Sequence, residues 1–222
     1  MNQTVTEQAT QAGRRIEQGS FAVVDREAGP HGYGPAQWTI VRRMIHASAD
    51  FDFNGLTRFH PQAVSAGVAA ILAGRPLVAD VAMICVGLAR SRMAHFGIES
   101  HQFIGDPDVV ARAHADNGTR AVQAMRKAHE RGLLDGGLVG VGNAPTALLE
   151  VIRLIREEGV RPALIIGMPV GFVSAAESKS ALREVAEVPW ILTDGRKGGS
   201  PLVVAVLHAL LALAEERQRA TA

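Results

Sequence analysis

Three short, continuously apolar segments alternate with helical patterns in the second half of this 222-residue chain. The segments are Gly137–Val141, Ala163–Gly167 and Trp190–Thr193, and a loop rich in glycine or proline follows each of them. Helical patterns come next, over Ala147–Glu158, over roughly Ala175–Ala186 and from about Ser200. Buried strands that alternate with helices are typical of a parallel sheet covered on two faces. We therefore predict an α/β fold, with a single domain, a mostly parallel sheet and helices on both faces.

The other segments are consistent with one domain spanning residues 1–222, of which 1–12 and 215–222 are expected to be flexible ends. Strand patterns cover Ser20–Val24, Pro76–Asp80 and, more weakly, His101–Gly105. Helical patterns cover the residues before Ser20, Pro35 to about Asp50, His60–Gly74, the residues up to Met93, and Asp106 towards Gly132. Asn117-Gly118 is a point where the last of these helices can bend or break.

Parallel sheets bind ligands beyond the carboxyl ends of their strands, at the point where the strand order reverses. Three loops follow predicted strands here, at Gly142–Thr146, Met168–Phe172 and Asp194–Ser200. We expect these loops to converge on one crevice.

Composition narrows the function classes. The formal net charge is +1, and no basic run is interleaved with aromatic residues, so we expect no nucleic-acid partner. Cys85 is the only cysteine, which rules out a disulfide within the chain and fits a reducing cytoplasm. Met1–Gln11 lacks the pattern of a signal peptide, and the apolar run Pro201–Ala214 is too short to span a bilayer. We therefore expect a cytoplasmic protein that has no membrane segment.

Neither a metal nor a cofactor is predicted. The eight histidines are scattered and form no helical pair or Cys/His cluster. The loop Gly140–Thr146 lacks both the glycine spacing of a dinucleotide fingerprint and the Gly-Lys-Ser/Thr signature of a phosphate-binding loop. Pro145 also removes one N–H group from the following helix start. A turn that offers Asn143, Thr146 and backbone donors to a carboxylate is the better interpretation.

Arg43 and His46 are the most informative pair for chemistry. They lie three residues apart in a helical pattern, so they share a face. A guanidinium that never titrates then lies beside an imidazole that titrates near neutrality. Such a pair can hold an anionic substrate and pass it a proton; the alternative is a surface pair without a function.

A second helix start follows the loop Met168–Phe172. Ser174 and Glu177 have the spacing of a capping box. Lys179 is then free to meet an anion, or is simply solvated.

Several short motifs lie along the chain: Gly19-Ser20-Phe21, Arg43-Met44-Ile45-His46-Ala47, Asp116-Asn117-Gly118-Thr119-Arg120, Gly142-Asn143-Ala144-Pro145-Thr146-Ala147-Leu148, Gly167-Met168-Pro169-Val170-Gly171-Phe172-Val173, Ala176-Glu177-Ser178-Lys179 and Gly195-Arg196-Lys197-Gly198-Gly199-Ser200. Together these motifs resemble the precorrin-8X methylmutase family of the cobalamin pathway, which includes the cobalt-precorrin-8 methylmutases. The resemblance covers roughly Arg15 to Leu213.

The resemblance implies a homodimer of α/β fold. It also implies an isomerase that moves a methyl group from C11 to C12 of a tetrapyrrole ring, in the metal-free or the cobalt-bearing form. His46 matches the proposed proton donor and acceptor, while Ser20 and Arg43 match substrate contacts. Thr119 and Arg120 are implied as further contacts that reach across the dimer.

The shift is intramolecular, which agrees with the missing cofactor motifs. A large flat ring also needs apolar walls, for which Met168, Val170 and Phe172 are candidates, although core packing is an equal alternative for each.

Two other classes stay open at this stage. One is a non-catalytic tetrapyrrole carrier, and tight product binding with hand-over to the next enzyme is compatible with either reading. The other is a nucleotide-dependent α/β enzyme that uses the Gly142 loop.

Overall fold

The computed structural model describes residues 4–221. Its six strands form one sheet in the order β1-β6-β5-β4-β2-β3. The strands are β1 Thr57–Phe59, β2 Leu77–Ala79, β3 Ser100–His101, β4 Leu138–Val141, β5 Leu164–Gly167 and β6 Trp190–Thr193. Only β1 is antiparallel to its neighbour; the other pairs are parallel. The predicted α/β fold with a mostly parallel sheet is confirmed.

Eleven helices are found in residues 4–221. They are α1 Gln11–Glu27, α2 Pro35–Ser48, α3 Phe53–Leu56, α4 Ala63–Leu72, α5 Ala82–Gly87, α6 Arg90–His95, α7 Pro107–Ala115, α8 Arg120–Glu130, α9 Pro145–Glu158, α10 Ala175–Arg183 and α11 Ser200–Ala220. The strand order reverses between β2 and β4, because the chain leaves β2 towards β3 on one side and β4 towards β5 on the other.

The sheet is buried on both faces, as its continuous apolar strands predict. Alternate residues of one strand enter two different cores: Ile166 packs with α2, α4 and α11 on one face, and Ile165 packs with α8 and α9 on the other. Gly140 allows α11 to approach closely, because a Cβ atom there would lie 2.9 Å from a methyl group of Val203. The sheet, including the carboxyl ends of its strands, therefore lies between two layers of helices.

The prediction of an extended segment at Ser20–Val24 is wrong, since these residues lie within α1. Val24 is buried and Phe21 is half-buried, and the two share the face that packs on α2. Thr10 begins the helix and accepts a hydrogen bond from the Gly13 N–H at 3.0 Å. Contacts with α2 have therefore overridden the strand preference of a β-branched and aromatic run.

The helix from Asp106 does break at Asn117-Gly118: α7 ends at Ala115, and Asn117 has a φ of 48°. The predicted capping box at Ser174 and Glu177 is wrong. Ser174 has a φ of 59°, and its side chain makes no capping hydrogen bond. Asp106 begins α7 without capping it, because its carboxylate accepts from the Lys127 ammonium at 2.6 Å.

The C-terminal helix extends well into the segment expected as a flexible end. Glu215 is buried in α11 and accepts hydrogen bonds from the Val5 and Thr6 N–H groups at 2.7 and 2.9 Å. Residues 1–3 and 222 of the predicted ends lie outside the described part of the chain. Flexibility of the ends stays a prediction.

Candidate active site

His46 lies in the last turn of α2, beside α1. Its side chain is exposed, and its ring centre is 5.1 Å from that of Phe21, with 59° between the ring planes. Ser20 and His46 line one groove of about 350 Å³, whose apolar wall includes Val23 and Ile45. The structure therefore brings two of the predicted site residues together. An exposed imidazole at the edge of an apolar groove can exchange a proton with a ligand bound there.

The Ser20 hydroxyl already donates a hydrogen bond, to the Ile16 carbonyl one turn earlier at 2.9 Å. Its oxygen lone pairs are left to accept from a ligand, or the hydroxyl can rotate towards a ligand carboxylate.

Arg43 is held by α1. Its guanidinium donates to Glu17 at 3.1 Å, and the two side chains are only 16% and 14% exposed. Its Cζ also lies 5.3 Å from the centre of the Phe21 ring. Phe21 thus contacts both His46 and Arg43, which fixes the pair on one face as predicted. Because Arg43 is already paired, a ligand carboxylate must compete with Glu17 for it.

The second group of predicted residues lies at the strand-order reversal. Thr119 and Thr146 are hydrogen-bonded through their hydroxyl oxygens, which are 3.0 Å apart. Thr119 caps α8 by accepting from the Val122 N–H at 3.3 Å, and Arg120 is the first residue of that helix. The side chains of Arg120 and Asn143 are exposed and make no hydrogen bond or ion pair with the rest of residues 4–221. These four side chains form a polar surface at the starts of α8 and α9.

No hydrogen bond, ion pair or ring contact within residues 4–221 joins this polar surface to His46 or Arg43. The structure therefore divides the predicted site into an α1–α2 part and an α8–α9 part.

The backbone donors of the β4–α9 turn are not available to a ligand, contrary to the prediction. Asp80 follows β2 and is 0% exposed. Its carboxylate accepts from the N–H groups of Gly142, Asn143 and Ala144 at 3.1, 2.8 and 2.7 Å. Burial raises the pKa of Asp80, and the three N–H groups oppose that rise. The nucleotide interpretation of this loop loses its phosphate donors for the same reason.

Lys179 is not the free cation that the sequence predicted. It is 1% exposed, and its ammonium donates to the Lys197 carbonyl at 2.8 Å. Desolvation lowers the pKa of Lys179 to about 8. Thr193 donates to the same carbonyl at 2.8 Å. The Lys179 and Thr193 side chains therefore stabilise the β6–α11 loop through its Lys197 carbonyl.

The same loop is tied to the segment that follows α2. The Lys197 ammonium donates to Asp50 and Asp52, at 2.6 Å in each case. A second groove of about 370 Å³ lies here, lined in part by Ala47, Val170 and Lys197. The end of the His46 helix thus lies against loops at the carboxyl edge of the sheet.

The three candidates for apolar walls of the ligand site include one core residue and two exposed residues. Met168 is fully buried and belongs to the core. Val170 and Phe172 are 47% and 84% exposed, and the Arg196 Cζ lies 5.6 Å from the Phe172 ring centre. Only these two can line a ligand site.

A cavity of about 640 Å³ lies between α5, α6 and β3, and none of the predicted site residues lines it. Cys85 lines it and is half-buried, as a small residue at the margin of the core; burial raises the pKa of its thiol. His208 lies in the interior of α11, 3.1 Å from Arg92, and burial lowers the pKa of its imidazole to about 4.

Sequence reasoning missed Asp80, Glu17 and the ion pairs of Lys197. Asp80 carried a usable signal, because it is a carboxylate at the carboxyl end of a predicted strand, where a parallel sheet binds ligands. Glu17 carried none, since its pairing with Arg43 depends on how α1 packs on α2.

Residues 4–221 contain no group of three or more His, Cys, Asp or Glu side chains placed to hold a metal ion. Across the same residues, no helix combines the length and the apolar character that a membrane crossing requires.

Three features together are typical of an α/β enzyme that acts on a small molecule. They are the mainly parallel sheet, the polar side chains at the strand-order reversal, and the exposed imidazole beside an apolar groove. The chain belongs to the precorrin-8X methylmutase family, whose model matches residues 15–213. It is an isomerase of the methylmutase type, from cobalamin biosynthesis.

Individual relatives cover most of the chain. A cobalt-precorrin-8 methylmutase of Leptospira interrogans is 49% identical over 95% of this chain and 98% of its own. A precorrin-8X methylmutase of Sinorhizobium is 38% identical over 89% of this chain and 93% of its own. A crystal structure of precorrin-8X methylmutase from Thermus thermophilus superposes with a TM-score of 0.87 at 56% identity, covering 92% of this chain and 98% of that one.

Proposed function

We propose that this chain moves a methyl group from C11 to C12 of precorrin-8X or cobalt-precorrin-8, giving hydrogenobyrinic acid or its cobalt counterpart, cobyrinic acid. In this proposal His46 is the proton donor and acceptor. Relatives named for the cobalt-bearing and for the metal-free substrate both resemble the chain over most of its length, so either form of the substrate fits.

The observation that carries the proposal is the placement of His46. Its imidazole is exposed at a groove shared with Ser20, and Phe21 packs it into the same cluster as Arg43.

The reaction uses one proton, which is donated at the start and recovered at the end. His46 donates a proton to a ring nitrogen, which withdraws electrons from the conjugated system. The C11–CH₃ bond breaks as the C12–CH₃ bond forms, and the methyl group carries its bonding pair to C12. The nitrogen then returns the proton to His46. No atom or electron is gained or lost overall, so neither a methyl donor nor an oxidant takes part.

The carboxylates of the macrocycle need several donors. Arg43 exchanges Glu17 for a substrate carboxylate, and Ser20 supplies a hydroxyl nearby. Thr119, Arg120, Asn143 and Thr146 bind other carboxylates from the polar surface at the starts of α8 and α9. Lys179 acts indirectly, by holding the β6–α11 loop.

The separation between the two parts of the site favours a homodimer. In that arrangement Thr119 and Arg120 of one protomer complete the His46 groove of its partner. We further propose that the enzyme works in the cytoplasm and hands its product to the next enzyme of the pathway.

The proposal is tested by mixing the protein with precorrin-8X and following the ultraviolet-visible spectrum as the product forms. His46→Ala should lower turnover by about 10²–10⁴-fold, which is the usual contribution of a general acid. Binding of the product should survive, because the carboxylate donors are intact.

His95→Ala is the matched control. His95 is also an exposed histidine in the last turn of a helix, packed on a phenylalanine ring at 4.7 Å. It should retain full activity. Turnover by His46→Ala at a rate near that of the wild type would remove His46 from the mechanism.

The same assay separates the enzyme from a carrier. A non-catalytic carrier would change the spectrum of the ligand on binding and yield no isomer. A calorimetric titration with ATP and NAD should be flat, and heat of binding would revive the nucleotide alternative.

A further inference from the structure

Asp80 lies at the point where the strand order reverses, and its position is fixed by two strands. It follows β2 directly, and its own N–H donates to the Gly140 carbonyl of β4 at 3.0 Å. Its carboxylate is 0% exposed and faces the β4–α9 turn. Neither the family resemblance nor the proposed mechanism gives this side chain a role.

Without Asp80, the β4–α9 turn would offer a binding site for an anion from solution. Successive N–H groups at the start of a helix attract a negative charge, and α9 begins here. Asp80 takes three of them, from Gly142, Asn143 and Ala144. The opposite side of the turn is also closed, because a Cβ atom at Gly142 would lie 2.6 Å from the Ser200 Cα.

A turn held in this way fixes the side chains that follow it. Asn143 projects from the turn into solvent, and Thr146 is in the first turn of α9. Thr146 is hydrogen-bonded to Thr119, which caps the helix that begins with Arg120. Every member of the polar surface is thus connected to the turn that Asp80 holds.

We propose that Asp80 is a positioning residue that fills the backbone anion site of the β4–α9 turn, so that substrate carboxylates are bound by the side chains of Asn143 and Thr146 instead of by backbone N–H groups. The inference rests on the proposed function for the identity of the ligand. Asp80 itself does not contact the substrate.

Asp80→Asn tests this, because the amide has one acceptor oxygen and its NH₂ group faces N–H donors. We expect the KM for precorrin-8X and the Kd for the product to rise about tenfold, as for the loss of one good hydrogen bond to a charged group, with kcat within about threefold. Glu215→Gln is the matched control, because Glu215 is a second buried carboxylate that accepts from two backbone N–H groups. It should lower the melting temperature and leave KM unchanged.

A KM for Asp80→Asn within twofold of the wild type would overturn the inference, and so would an equal rise in KM for Glu215→Gln. Product binding is measured separately from turnover, so a wild type that binds product but forms none contradicts the proposed reaction and leaves the role of Asp80 testable.

If Asp80→Asn does not fold, the wild-type protein gives the answer by NMR. Adding product should shift the side-chain NH₂ signals of Asn143, whereas the backbone amides of Asn143 and Ala144 should keep their slow hydrogen exchange. Shifts of those backbone amides with no change at the side chain would show that the ligand displaces Asp80, against the inference.

Discussion

Lys179 makes a pH-dependent contribution to stability that can be worked out from its surroundings. Its ammonium is buried under the β6–α11 loop, where desolvation lowers the pKa from 10.5 to about 8. Below pH 8 the group is charged in both the folded and the unfolded chain, and burial of that charge costs stability. Between pH 8 and 10.5 the folded protein has lost the proton while the unfolded chain still holds it, so stability rises with pH.

The magnitude follows from the two pKa values. A pKa of about 8 in place of 10.5 corresponds to about 3 kcal/mol over the full range. Between pH 7 and pH 9 the gain in unfolding free energy should be about 1.4 kcal/mol, because the folded-state group has by then passed its pKa by one pH unit.

Lys179→Met removes the buried charge and keeps the length of the side chain. The Lys197 carbonyl keeps the hydrogen bond that Thr193 donates, so no buried acceptor is left without a partner. Relief of the buried charge at pH 7, about 3 kcal/mol, then offsets the loss of a charge-assisted hydrogen bond, about 1.5–3 kcal/mol. We expect the net stability at pH 7 to change little and the rise between pH 7 and 9 to disappear.

Urea unfolding at pH 7, 8 and 9 measures this. Lys127→Met is the control, because the hydrogen bonds that the Lys127 ammonium donates to the Asp106 and Asp108 carboxylates raise its pKa, so it stays charged over this range. That variant should lose stability and keep the wild-type rise. A Lys179→Met protein that gains as much stability as the wild type between pH 7 and 9 would refute the reasoning.

Two further predictions concern the site. Arg43→Ala should weaken product binding by about tenfold to a hundredfold in calorimetry, the range for a lost hydrogen bond between charged groups. Arg42→Ala, which removes the neighbouring arginine on the same Phe21 ring, should change binding by less than threefold; an equal loss in both variants would mean that only net charge matters. Gly142→Ala should lower the unfolding free energy by about 2 kcal/mol or more, because its Cβ would meet the Ser200 backbone at 2.6 Å. Gly105→Ala has nothing within 4 Å of the added atom and should be nearly neutral, so similar urea midpoints for the two variants would contradict this packing argument.

The strands that the sequence predicted best are those whose own side chains determine their burial. Trp190–Thr193 was predicted with its observed bounds, because a four-residue run between two turns is too short for a buried helix and fits a strand buried on both faces. β1 was missed, since Thr57–Phe59 is a strand only through its antiparallel pairing with β6. Ser20–Val24 was wrongly predicted as a strand, because its packing on α2 is a long-range contact that outweighs the local preference for extended backbone.

The candidate site shows the same limit at the level of single side chains. The shared face of Arg43 and His46 follows from helical spacing alone, and it could be predicted. Lys179 could not be placed, because helix register does not say which face the rest of the chain will cover. The ion pair between Glu17 and Arg43 could not be predicted either, because the two residues lie on different helices.

The distribution of donors bears on how a substrate with many carboxylates can be recognised. One anion site that is typical of α/β folds, the start of the helix after a strand, is occupied at α9 by the chain's own Asp80. The Arg43 guanidinium is also engaged, by Glu17, and in the proposed function a substrate carboxylate displaces Glu17. Exchangeable and exposed donors make each carboxylate contact weak, so affinity must come from engaging several of them at once. We therefore expect a ligand with a single carboxylate to bind far more weakly than the complete macrocycle.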